Sequence, residues 1–107
     1  MNENDWVRTR DGVFTRILSL TKLHKTTMIE CLNGVTYTQR DIKLSSPSLL
    51  ELIKNKDIVN GYRVAHVDLF TRKIIYYNDE GKEKEIPARL IETVMGWEFY
   101  KEKCFKV

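Results

Sequence analysis

From residue 6 onward, β-branched and aromatic residues come in short runs broken by glycine, asparagine and aspartate. Residues 6–9 read as a strand, residues 10–12 (Arg-Asp-Gly) as a turn, and residues 13–20 as a longer strand. Both faces of the longer strand are apolar: Val13 and Ile17 on one, Phe14, Leu18 and Leu20 on the other. That pattern suits a strand covered on both sides. Residues 26–32 and 35–38 form a hairpin across Asn33-Gly34, the strongest short turn signal in the chain. A 3₁₀ turn at residues 40–42 and a short strand at 43–44 follow. Residues 45–56 change character. Ser46 as N-cap, Pro47 in the first turn and the stripe Leu49, Leu50, Ile53 predict a helix of about two turns.

The pattern then recurs. Asp5-Trp6-Val7 leads through Gly12 into residues 13–20, and Asp57-Ile58-Val59 leads through Gly61 into residues 62–69. Residues 72–78 and 82–86 read as strands around Asp79-Glu80-Gly81, residues 87–90 as a helical turn and residues 91–95 as strand. After Gly96, one helical turn is predicted over residues 97–101 and a closing strand over 104–107. Many short strands and little helix predict a small barrel or sandwich. At 107 residues, two halves of this size are marginal alone and should pack on each other. The expected organisation is mostly β: a first repeat over 1–45, a linking helix over 46–56 that plugs the core between the repeats, and a second repeat over 57–107.

The stretch Asp5-Trp6-Val7-Arg8-Thr9-Arg10-Asp11-Gly12-Val13 resembles the opening of an SH3-like barrel of the KOW type, which runs through a glycine turn into a long bent strand. Ser45 to Ile53 and Asp57 to Val64 extend the likeness over nearly the whole chain. Together they resemble a group of small phage and prophage proteins of Firmicutes. The resemblance implies two tandem SH3-like barrels and a phage-encoded origin. It is nearly silent on function.

Charge sharpens this picture unevenly. The 18 lysines and arginines exceed the 15 acids by three, a mild bias toward acidic partners. Most of it is local. Residues 6–27 hold Arg8, Arg10, Arg16, Lys22 and Lys25 against Asp11 alone, whereas residues 78–86 hold Asp79, Glu80, Glu83 and Glu85 against Lys82 and Lys84. Trp6, Arg8 and Arg10 alternate and so share one strand face. Arginine grips phosphate bidentately and an aromatic ring can stack on a base. Trp6, Arg8, Arg10, Arg16, Lys22 and Lys25 are therefore the candidate surface for nucleic acid or a nucleic-acid-handling host protein. The alternative is an inhibitor of a host defence system, anti-CRISPR-like, in which Asp79, Glu80, Glu83 and Glu85 mimic phosphate and Trp97 marks the contact.

The chain carries no phosphate-binding glycine loop, no His-Glu-x-x-His and no Cys-x-x-Cys. His24 and His66 lack carboxylate or thiol neighbours at metal-ligand spacing. The expectation is a binding protein, not an enzyme, with no cofactor, metal or small-molecule substrate. The polar, acidic start Met1-Asn2-Glu3-Asn4-Asp5 is unlike a secretory leader, and no apolar run approaches a membrane span. The cytoplasm, that of the host if the chain is phage-encoded, is the expected compartment. There Cys31 and Cys104 are expected as free buried thiols.

Overall fold

A computed structural model describes the backbone of residues 1–105 and the side chains of residues 1–101. The chain is mostly β. Strands β1 (Trp6–Thr9), β2 (Phe14–Lys22), β3 (Thr27–Cys31), β4 (Thr36–Thr38) and β5 (Ile42–Ser46) form one antiparallel sheet in the order β4-β3-β2-β1-β5. Strands β6 (Ile58–Val59), β7 (Tyr62–Asp68), β8 (Lys73–Tyr77), β9 (Glu83–Pro87) and β10 (Val94–Met95) form a second, in the order β10-β6-β7-β8-β9. Both sheets are open, with the same order of fifth, first, second, third, fourth. A 3₁₀ turn precedes the fifth strand in each, Gln39–Asp41 and Ala88–Leu90.

The repeat extends to individual hydrogen bonds. Asp5 N–H donates to the Asn2 carbonyl, and Asp57 N–H to that of Lys54. The Asp5 carboxylate accepts the Asn2 N–H, and the Asp57 carboxylate that of Lys54. Asn4 and Lys56, just before each aspartate, adopt φ of 70° and 79°. Their N–H groups donate to the carbonyls of Ile17 and Val64, whose own N–H groups return to the aspartate carbonyls. One residue past Ile17 and one past Val64 the pairing register slips, at Leu18 in β2 and Ala65 in β7. An extra residue at such a bulge bends the strand. Asn60-Gly61 joins β6 to β7 with φ of 50° and 86°, the two positive values that a type I′ hairpin demands.

Each sheet covers its own core. Val7, Ile17, Ile29, Cys31 and Ile42 fill the first; Leu50, Ile53, Val59, Val64, Ile74 and Ile86 fill the second. Full burial of each such aliphatic side chain contributes roughly 1.5–3 kcal/mol. Phe14 of β2 packs against the second core, so the cores communicate across the seam.

Two predicted elements differ. The linking helix is a single 3₁₀ turn, Leu49–Glu51. β5 runs on to Ser46, which pairs with Trp6, and the Leu52 carbonyl is taken by the Arg8 guanidinium instead of a later N–H. Leu50, Leu52 and Ile53 are all buried, which a single helical stripe does not achieve. At the other end, Trp97–Phe105 is one helix, α1. Cys104 and Phe105 are therefore helical, not strand, and residues 106–107 of the expected strand lie outside the described residues. The Gly96 carbonyl accepts from Phe99 and Tyr100 and so starts the helix. Cys31 is a free, buried thiol, raised in pKa by its burial.

Candidate nucleic-acid interface

β1 lies between β2 and β5 and is not an edge strand. Its alternation sends Val7 into the first core and turns Trp6 and Arg8 toward the second unit. That single geometric fact divides the predicted basic surface.

Arg8 is only 2% exposed. Its Nη1 donates to Asp57 Oδ2 at 2.5 Å and to the Leu52 carbonyl at 2.9 Å. Its Nη2 donates to Asp57 Oδ1 at 2.8 Å and to Glu98 Oε2 at 2.7 Å. Its carbon centre lies 5.0 Å from the Phe14 ring. Asp57, fully buried, also accepts the backbone N–H groups of Lys54 and Trp97. Lys43 closes the network with a 2.8 Å contact to Glu98. Burial alone would lower the Arg8 pKa, but bonds to Asp57 and Glu98 outweigh it and the pKa rises. Burial pushes Glu98 up; Lys43, its own N–H and Arg8 prevail and bring it down to about 2. Arg8 was expected on the surface as a phosphate contact. Instead it joins the two units, because the face it shares with Trp6 meets protein and not water.

The same junction holds a close backbone approach. Gly96 N–H donates to the Gly12 carbonyl at 2.7 Å. A Cβ on Gly96 would stand 2.6 Å from the Gly12 Cα. Glycine is required at Gly96 for this contact, since any side chain would force backbone apart.

Trp6 is half-buried, with the Arg16 guanidinium 5.2 Å from its ring. It lines a cleft of about 260 Å³ with Pro47, Ser48, Leu49, Arg72 and Ile91. The volume is below the roughly 300–1,000 Å³ of small-molecule sites, so one flat group fits better than a whole ligand. The Ser48 hydroxyl is buried there without a hydrogen-bond partner.

The remaining predicted cations lie elsewhere. Arg10 donates through Nε to the Arg40 carbonyl, and Lys25 borders the same 3₁₀ turn with Gln39 and Arg40. Lys22 lines a separate hollow with Met1, Leu20 and Thr27. Arg72 and Arg40 were not anticipated. Arg72 holds φ of 57° in a turn where its charge carried no periodic signal. On the acidic hairpin, Glu85 pairs with Lys73 at 2.8 Å and Glu80 with Lys82 at 3.6 Å, while Asp79 and Glu83 are exposed. Trp97 stacks on Tyr100, and Arg63 lies 5.3 Å from its ring.

Among the described residues, no group of three or more His, Cys, Asp or Glu could hold a metal ion, and no helix is long and apolar enough to cross a membrane. No family model, curated protein or solved structure matches the chain.

Proposed function

We propose that this chain is a non-enzymatic binding module of two SH3-like units, phage- or prophage-encoded, that contacts nucleic acid at the seam between them. The observation that supports this most is Trp6, held beneath Arg16 at a cleft that Arg72 also lines. Aromatic platforms flanked by cations are how proteins hold bases and backbone together. The buried hub fixes the two units, so Trp6 from one and Arg72 from the other keep a set spacing. Inhibition by phosphate mimicry has less support, because Glu80 and Glu85 already pair with lysines of their own hairpin.

Fluorescence anisotropy of a labelled oligonucleotide over a range of salt tests the proposal. Wild type should bind at low salt and weaken as salt rises. Arg16→Ala and Arg72→Ala should each weaken binding and flatten the salt slope by about one counterion. No binding at low salt would end the nucleic-acid reading.

A further inference from the structure

The turn between β7 and β8 presents Phe70 with 97% of its surface in water; among the described residues the next most exposed large apolar side chain, Leu32, shows 59%. The ring is held out by a built turn. Asp68 Oδ1 accepts the N–H groups of both Phe70 and Thr71, at 3.0 and 3.1 Å. Thr71, chiefly through its backbone N–H, holds the Asp68 carboxyl below its ordinary range. Past the tip, the Arg72 carbonyl accepts the Ala88 N–H at 2.9 Å, tying the turn to the 3₁₀ turn that borders the cleft. Phe70 thus stands two residues from Arg72, which lines the Trp6 cleft.

We propose that Phe70 is a second stacking platform and that the ligand of the seam is single-stranded nucleic acid, with one base on Phe70, the strand passing Arg72, and a further base at Trp6. This rests on the nucleic-acid reading above and narrows it. A ring standing clear of the surface can stack only on a base that has left its duplex neighbours. The charge at the cleft favours a polyanion: among the described residues Arg16 and Arg72 form no ion pair, whereas Glu85 is paired with Lys73. A second copy of the chain would set these arginines against their equals.

The test measures anisotropy of labelled oligothymidylate, and of a duplex of equal length, with the full chain. Wild type should prefer the single strand. Phe70→Ala should lower single-strand affinity about tenfold, the effect of losing one stacked base, with the salt slope and urea midpoint unchanged. Phe70→Trp should restore it. If Trp6→Ala weakens binding but Phe70→Ala does not, or if duplex binds as well as single strand, this inference falls and the broader proposal stands. If neither polymer binds, both fall. Loss of self-association or of anionic-vesicle binding in Phe70→Ala, with oligonucleotide affinity unaltered, also overturns it, by naming a different occupant.

Discussion

Replacing Asp57 by alanine should do more damage than any other loss of one carboxylate among those described. The two oxygens accept four bonds, from Arg8 twice and from the backbone of Lys54 and Trp97, at 2.5–2.9 Å. Without them Arg8 keeps only the Leu52 carbonyl and Glu98. It cannot escape by losing its proton, because an arginine guanidinium stays protonated inside proteins. Removing one partner of a buried ion pair costs about 3–5 kcal/mol, against a total stability of roughly 5–15 kcal/mol for a small protein. Urea denaturation followed by circular dichroism should show the midpoint falling by about 2 M. Arg8→Met should cost a similar amount, and Arg8→Met/Asp57→Ala less than the two singles together. A loss for Asp57→Ala under about 1 kcal/mol, the scale of an exposed pair, would refute the view that this junction holds the units together. So would simple additivity of the two singles.

Acid should loosen the same junction. Glu98 titrates from 4.5 when free to about 2 when folded, so its contribution is whole above pH 4.5 and is lost as pH falls toward 2. In Glu98→Gln the urea midpoint should fall less steeply over that interval; an unchanged profile would count against the assigned bonds. Gly96→Ala should cost about 1–3 kcal/mol by overpacking against the Gly12 backbone, read as a lowered Tm, whereas an unshifted Tm would mean the contact is looser than described.

Local chemistry made much of this fold legible. Asn33-Gly34 marked a hairpin and Asn60-Gly61 a turn because few other pairs accept positive φ; both turns sit where expected, with positive φ at Gly34, Asn60 and Gly61. The recurrence of Asp5 and Asp57 held down to matching hydrogen bonds. Long-range pairing was not legible. Alternation placed Trp6 and Arg8 on one face, but whether that face met water or protein depended on Asp57 and Glu98, 49 and 90 residues away. Arg8→Ala, which sequence alone would offer as a binding variant, therefore acts through stability. The linker carried sound local helix signals in Ser46 and Pro47, overridden by the pairing of Ser46 with Trp6. Phe70 fell between two strands, and the turn-forming pair Asp68 and Thr71 was the available clue to its display.

The shared aspartate turn also makes the two units unequal partners. Three residues past Asp5 stands Arg8, the hook that catches Asp57. Three past Asp57 stands Asn60, whose amide is spent inside its own unit, on the Leu90 carbonyl and on the N–H groups of Glu92 and Thr93. The second unit carries no arginine at that position. A solenoid grows when every unit presents the same latch and the same catch; here Arg8 of one unit is the latch and Asp57 of the other the catch, and the two interlock as unlike partners in a single chain.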